Sequence, residues 1–454
     1  MKEILERQRT FFNSNRTKDL DFRIEELQRL KTLLLSNLNR LNEAIYADFG
    51  KSPFETFTNE FGLVFLDIDE ACKKLKSWAK RKRVRTNWVN FPAKSYIIPE
   101  PLGVSLIIGA WNYPYQLSLA PAIAAIAAGN TVILKPSELP SHTSKLLAEL
   151  INTHFDPAFF HVVEGGVNET TALLEERFDK IFFTGSTTVG RIVYLAAAQH
   201  LTPVTLELGG KSPAIFTEGA NLQMGIRRLI WAKFLNAGQT CIAPDYVLLP
   251  KSIREEFLRL AKEEIERASY SIENGNYVQI INDRNVSRLS QLIDSKKVYS
   301  GGKIDQEKRI IEPTLMHEVT FDDPIMQEEI FGPILPILTY DTLAEAISEI
   351  KKREKPLSCY IFTGNPALKN KLLNELSFGG GAVNEAIMHI SNSRLPFGGV
   401  GNSGMGSYHG EAGFRTFSHY KSILEKANWF ETKLKYSPYS EGKLKWIKRL
   451  MGMK

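Results

Sequence analysis

Cysteine is scarce in this chain: Cys72, Cys241 and Cys359 are three in 454 residues, odd in number and far apart. That excludes a disulfide framework and leads us to expect a reducing compartment. No CxxC or HExxH pattern occurs, so no metal site is predicted. An excess of one charge sign is also lacking. Fifty-seven Lys and Arg against 51 Asp and Glu leave a net +6, too little for a chain whose main partner is nucleic acid. The most apolar stretch, Leu117 to Leu134, is broken by Pro121, Gly129 and Asn130 and reads as a buried helix turning into a strand, not as a membrane span. The first residues, Met1 to Arg7, have no apolar core or small-residue cleavage site, so a cytoplasmic location is expected.

What is present is the composition of a soluble globular protein, 43% hydrophobic and 24% charged, long enough for two or three domains. Apolar spacing predicts one long amphipathic helix over Asp21 to Gly50 and a second over Glu55 to Lys80. Val84 to Leu102, with three prolines, reads as an extended connector. From Gly103 short apolar strands alternate with helices up to Val204-Thr205-Leu206, and a second such series runs from Lys211 to about Ser391. The fold class is therefore α/β, with two doubly wound, Rossmann-like domains that bind ligands at the carboxyl ends of their strands. We assign 1–82 and 103–208 to a cofactor domain, 209–393 to a catalytic domain, and 83–102 with 394–454 to a small β bridging element and tail. The tail Lys443 to Met451 is basic and amphipathic, suited to docking on a second subunit or to peripheral contact with an anionic membrane.

The apolar spacing from Asn221 to Leu235 predicts a helix ending near Asn236 and Gly238, so Cys241 falls on irregular backbone just beyond it. That is a place for a nucleophile, although an isolated cysteine is as readily a buried, inert thiol. In Thr205-Leu206-Glu207-Leu208-Gly209-Gly210 a lone carboxylate interrupts an apolar strand. Asn112, in the turn after the first sheet strand, is either a helix cap or a donor to an oxyanion. Gly185 and Ser186 stand where a strand runs through a turn into a helix, a geometry that faces phosphate and that a plain junction shares. Lys135 and Glu138 follow another strand end, placed for ribose hydroxyls or for an ordinary helix start with Ser137 as cap.

Together Ala110-Trp111-Asn112-Tyr113-Pro114, Lys135-Pro136-Ser137-Glu138, Phe183-Thr184-Gly185-Ser186, Leu206-Glu207-Leu208-Gly209-Gly210, Asn236-Ala237-Gly238-Gln239-Thr240-Cys241, Gln327-Glu328-Glu329-Ile330-Phe331-Gly332-Pro333 and Leu395-Pro396-Phe397-Gly398-Gly399 resemble the aldehyde dehydrogenase superfamily, most closely its class 3 branch. The likeness spans nearly the whole chain and is weakest at Glu411–Arg415. It implies NAD(P)-dependent oxidation of aldehydes to carboxylic acids, with NAD as cofactor and NADP also admissible, in a homodimer. It also implies Cys241 as nucleophile, Glu207 as base, and Asn112 with the Cys241 N–H as the oxyanion hole. Glu329 would hold the nicotinamide ribose beside Phe331, Lys135 and Glu138 the adenine ribose, and Gly185 and Ser186 the pyrophosphate. Tyr113, Tyr115, Trp231, Thr240 and Ile242 are expected to line a pocket for medium- or long-chain aliphatic or aromatic aldehydes. The other readings are a catalytically silent nucleotide-binding fold, a coenzyme A-acylating reductase and a cysteine hydrolase.

Overall fold

Strands with no exposed face must be covered on both sides, and the central strands of both sheets are of that kind. A computed structural model describes residues 1–453. Val104–Ile108, Thr131–Lys135 and Lys180–Thr184 are buried along their whole length. They form a six-stranded sheet in the order Gly404–Met405, Val204–Glu207, Lys180–Thr184, Val104–Ile108, Thr131–Lys135, Phe160–Val162, parallel except at the Gly404 edge. The chain steps outward from Val104–Ile108 on one side and restarts on the other with Lys180–Thr184, so the crevice at this reversal opens at the carboxyl ends of those two strands.

A second sheet has seven strands, ordered Val298–Ser300, Thr314–Met316, Ile334–Tyr340, Tyr246–Pro250, Pro213–Phe216, Ser358–Phe362, Gly380–Val383. Its pairings are parallel apart from the Val298 edge. Both sheets lie in one compact unit, Met1–Trp78 with Pro101–His419. A smaller unit, Ala79–Glu100 with Tyr420–Lys454, is built on the strands Lys82–Val84, Ala93–Pro101 and Ser418–Lys426, and its helix Glu441–Leu450 has no buried residue.

Three sequence expectations need correction. The long helix over Asp21 to Gly50 is two helices, Leu20–Ser36 and Leu38–Phe49. At the junction Asn37 leaves helical geometry (ψ 13°) while its amide donates to the Leu33 carbonyl at 2.9 Å, the backbone competition that makes Asn a poor interior helix residue. The helix over Glu55 to Lys80 begins as the short turn Pro53–Thr56, passes through a π-helical segment, Phe57–Phe61, and becomes α-helical only from Gly62 to Trp78. Residues 394–419, assigned to the bridging element, belong to the larger unit instead. Their glycines make close backbone contacts there. A Cβ on Gly404 (φ +151°) would lie 2.4 Å from the Leu206 carbonyl oxygen, so only glycine lets this edge strand approach the strand that ends in Glu207.

Candidate active site

Glu207 is the last residue of its strand, in register with Thr184 on one side and Gly404 on the other. It is 3% exposed, and neither carboxylate oxygen has a protein hydrogen-bond partner. Burial alone pushes its carboxyl far above the ordinary glutamate range. A buried acid without partners is costly unless it serves something other than the fold.

The helix Leu222–Phe234 delivers the cysteine. Beyond it Asn236, Ala237 and Gly238 take φ of 52°, 50° and 70°, three consecutive left-handed residues of which only one is glycine. Such backbone costs of order 1–3 kcal/mol per strained residue and persists only where its surroundings over-determine it. Here the Asn236 N–H donates to Glu55 Oε1 at 3.0 Å, and its amide to the carbonyls of Asn112 and Gln239, both at 3.0 Å. The Gln239 side chain donates to the Asn236 and Gln279 carbonyls and accepts from the Ile281 N–H. Cys241, partly accessible as a residue, sits past this turn. Its thiol is pushed up to about 12, by burial first and then by the carboxylates of Glu329 and Glu207, while its own N–H and that of Ile242 pull the other way.

Asn112 is buried, and its Nδ2 donates to the Gln239 carbonyl at 3.0 Å. It does not cap the following helix, which begins at Gln116. Its carboxamide therefore stands one hydrogen bond from the segment that carries Cys241.

The remaining candidates come from the carboxyl ends of the same sheet and from one loop of the second. Lys135 is buried and donates to the Pro136 carbonyl at 2.8 Å, with Glu138 Oε2 at 3.8 Å. Burial lowers the Lys135 pKa, and Glu138 partly offsets this. The next helix starts only at Ser141, so Ser137 is not its cap. Gly185 donates its N–H to the Glu207 carbonyl at 3.0 Å, and Ser186 caps the helix Thr187–Ala198 by accepting from the Val189 N–H. Glu329 lies against the Gly209 turn: a Cβ there would be 1.9 Å from its Oε2. Its carboxyl is raised to about 8 by burial and then by Asp245, opposed by the Gly210 N–H. Phe331, at φ 50°, meets Trp111 edge to face with centroids 5.2 Å apart.

This loop is clamped by residues that the sequence reading missed. Asp245 accepts from the Ile330 N–H at 2.9 Å and pairs with Lys211, which also donates to the carbonyls of Ile325 and Glu328. Arg288 donates to the Ile330 carbonyl. Asp245, one charge between Ile242-Ala243-Pro244 and Tyr246-Val247, was an available signal; Lys211 and Arg288 have polar or glycine neighbours that gave none.

Of the pocket residues, Tyr113 is joined to Thr240 by a 2.7 Å hydroxyl–hydroxyl bond and so stands beside Cys241. Ile242 is buried with its carbonyl accepting from the Tyr360 hydroxyl. Trp231 is 41% exposed and lines an outer cavity of about 540 Å³ with Met224, Ile230 and Met388 on one hand and the charged Arg227, Arg228, Glu264 and Glu385 on the other; Cys241 and Thr240 are not part of that lining. Tyr115 is no pocket wall. It is 0% exposed, its hydroxyl donates to the Leu41 carbonyl at 2.8 Å, and its ring packs on Phe61, because the N-terminal helices cover it. Among the described residues no group of three or more His, Cys, Asp or Glu could hold a metal, and no helix is long and apolar enough to cross a membrane.

The model of the aldehyde dehydrogenase family matches residues 1–423. The chain is 48% identical to the 4,4'-diaponeurosporen-aldehyde dehydrogenase of Staphylococcus aureus over 97% of its own length and 96% of the relative's. It is 46% identical to the dimeric NADP-preferring aldehyde dehydrogenase of Rattus norvegicus over 96% and 98%. Among solved structures, the substrate-bound state of Staphylococcus aureus AldH superposes with a TM-score of 0.97 at 46% identity, covering 99% of both chains. A Mycobacterium tuberculosis aldehyde dehydrogenase complexed with NAD+ gives 0.84 at 26%, covering 94% and 90%. Matched by that family model over residues 1–423 and by relatives 46% and 48% identical over nearly all of its length, the chain belongs to the aldehyde dehydrogenase family.

Proposed function

We propose that Cys241 is the nucleophile, Glu207 the proton carrier, and Asn112 with the Cys241 N–H the oxyanion hole of an NAD(P)-dependent oxidation of apolar aldehydes. The observation that carries this is the orphaned, buried Glu207 carboxylate, near enough to the Cys241 thiol to push its pKa up. As the Cys241 sulfur bonds to the aldehyde carbon, the thiol proton is released to solvent. The carbonyl oxygen becomes an oxyanion and draws on the Asn112 Nδ2 and the Cys241 N–H; one such preorganised donor is worth about 3 kcal/mol of barrier. The bound nicotinamide cofactor supplies the hydride acceptor, leaving a thioester on Cys241. Glu207 then takes a proton from water as the water oxygen bonds to the acyl carbon; the C–S bond breaks, the Cys241 sulfur recovers that proton from Glu207, and the carboxylic acid leaves and ionises.

The chain's own residues fit that cofactor. Gly185 and Gly209 leave no side chain over the turns, and the helix Thr187–Ala198 offers free N–H groups beyond its Ser186 cap. Lys135 and Glu138 present a donor and an acceptor to ribose hydroxyls, and Glu329 presents a second acceptor. Glu138 opposes a 2′-phosphate, so NAD is the preferred partner; its side chain is half exposed and screened, so NADP is accepted too.

The substrate reading is a medium- or long-chain aliphatic or aromatic aldehyde. It is supported by the apolar side chains of Met224, Ile230, Trp231 and Met388 in the outer cavity and by the 4,4'-diaponeurosporen-aldehyde in the name of the Staphylococcus aureus relative. The protein is further read as a cytoplasmic homodimer, from its three free cysteines and the dimeric rat relative. The helix Glu441–Leu450, with Leu444, Trp446 and Leu450 exposed among basic residues, is suited to peripheral contact with an anionic membrane. Intact-mass analysis after quenching Glu207→Gln with decanal and NAD+ tests the chemistry. An acyl adduct that maps to Cys241 is expected; no adduct, or one elsewhere, refutes the assignment.

A further inference from the structure

Lys51 and Glu60 form an ion pair at 3.0 Å with both side chains 0% exposed. Burying two charges costs several kcal/mol per ion, and an apolar pair of similar volume is often as stable or more so, so fold stability alone is a poor reason for it. Lys51 Nζ also donates to the Asn112 carbonyl at 3.3 Å and stands 4.6 Å from the Tyr113 ring centre. Glu60 uses its other oxygen, Oε2, to accept from the N–H groups of Tyr115 at 2.8 Å and Gln116 at 3.2 Å. The turn that carries Asn112 is therefore held from both of its ends.

The same short segment also reaches the nucleophile's turn. Glu55 accepts from the Asn236 N–H, and Asn236 donates to the Asn112 carbonyl that Lys51 already holds. Residues five apart fall near one face where the helix closes i to i+5. The π-helical segment Phe57–Phe61 thus turns Glu55 and Glu60 inward together, while Phe54 and Phe57 face out, 78% and 49% exposed. One carboxylate serves the Asn112 turn, the other the Cys241 turn, and the two turns meet at the Asn112 carbonyl, which accepts from both Lys51 and Asn236.

We infer that Lys51, paired with Glu60, is a positioning residue for the reaction: it sets the Asn112 turn against the strained Asn236–Gly238 turn so that the Asn112 carboxamide and the Cys241 N–H converge on one substrate oxygen. It touches neither substrate nor cofactor and acts through Asn112. The inference rests on the reading of Asn112 as an oxyanion donor, and the test separates the two.

Hydrolysis of 4-nitrophenyl acetate by the full-length protein isolates this step, because acylation of Cys241 needs the oxyanion hole but no hydride acceptor. The burst rate of nitrophenolate release would be compared for wild type, Asn112→Ala, the charge-neutral pair Lys51→Met with Glu60→Gln, and the triple variant. The neutral pair avoids stranding one buried charge. Loss of an oxyanion donor lowers such rates by about 100-fold. Misplacement of it by the neutral pair should cost about tenfold. If Lys51 acts through Asn112, the triple variant equals Asn112→Ala within about twofold. Iodoacetamide alkylation of Cys241 and the KM for NAD+ should stay unchanged in the neutral pair, which a general loss of structure would not allow. Full acylation by Asn112→Ala overturns the oxyanion reading itself. A slow Asn112→Ala with a neutral pair that acylates normally, or whose defect multiplies in the triple variant, overturns the role of Lys51.

Discussion

Replacing Gly209 by alanine adds a single carbon at a place where the structure leaves room for none. The new Cβ would lie 1.9 Å from Glu329 Oε2, 2.7 Å from its Cδ and 2.9 Å from Oε1. Those atoms are the end of a side chain, so the carboxylate can swing aside and the backbone need not move. The variant should therefore fold with little loss of stability, within about 1 kcal/mol, but with Glu329 displaced from the Gly209–Gly210 turn. If Glu329 holds the nicotinamide ribose, its hydrogen bond is lost, and at pH 9, where the carboxyl is charged, that is worth about 1.5–3 kcal/mol, or about 10- to 100-fold in NAD+ affinity. Isothermal titration of NAD+ into wild type, Gly209→Ala and Glu329→Gln, with thermal melts alongside, reads both quantities. Gly209→Ala should weaken NAD+ binding at nearly unchanged melting temperature. Unchanged affinity with a lowered melting temperature would refute the placing of Glu329.

Other outcomes follow from the same geometry. Glu329 is the leading charge holding the Cys241 thiol up, so Glu329→Gln should speed iodoacetamide alkylation of the cofactor-free protein at pH 8; slower or equal alkylation contradicts this. The Glu329 carboxyl is raised from 4.5 to about 8, so the folded state binds its proton more tightly than the unfolded chain. Its contribution is full below pH 4.5 and is lost as pH rises through 8, so urea melts should show Glu329→Gln gaining on the wild type between pH 5 and 8. Gly404→Ala, blocked by backbone at 2.4 Å and by φ of +151°, should cost about 3 kcal/mol or more and take activity with it; a normal melting temperature would show the edge strand to be unimportant. Trp231→Ala should raise KM for decanal by about 10-fold, since a lost apolar contact is worth about 1–3 kcal/mol, and leave propanal unaffected.

The sequence made the site legible where local pattern and chemistry coincide. Cys241 could be placed beyond a helix because the apolar spacing stops at Leu235, and Glu207 stood out as one charge in an apolar strand. The alternation from Gly103 onward gave the first sheet because fully buried parallel strands are short and apolar on both faces. What stayed hidden depends on partners distant in the chain. Lys51 reads as a solvent lysine until Glu60 and the Asn112 carbonyl are brought to it. Tyr115 reads as a pocket residue beside Tyr113 because neighbouring residues look alike until the helix turns them apart: one hydroxyl meets Thr240, the other Leu41. The glycines after Leu395 read as part of the bridging element because composition does not show which unit a segment packs against. The break at Asn37 and the π-helical segment at Phe57–Phe61 fall inside apolar periods that continue across them.

The central claim is that Glu207 clears a thioester formed on Cys241, and nicotinamide reduction by Glu207→Gln tests it most directly. Mixing the variant with excess decanal and NAD+, without coenzyme A, should give a burst of about one equivalent of NADH per active site and then near-arrest, against continuous turnover by the wild type. Sustained turnover at the wild-type rate would contradict the account.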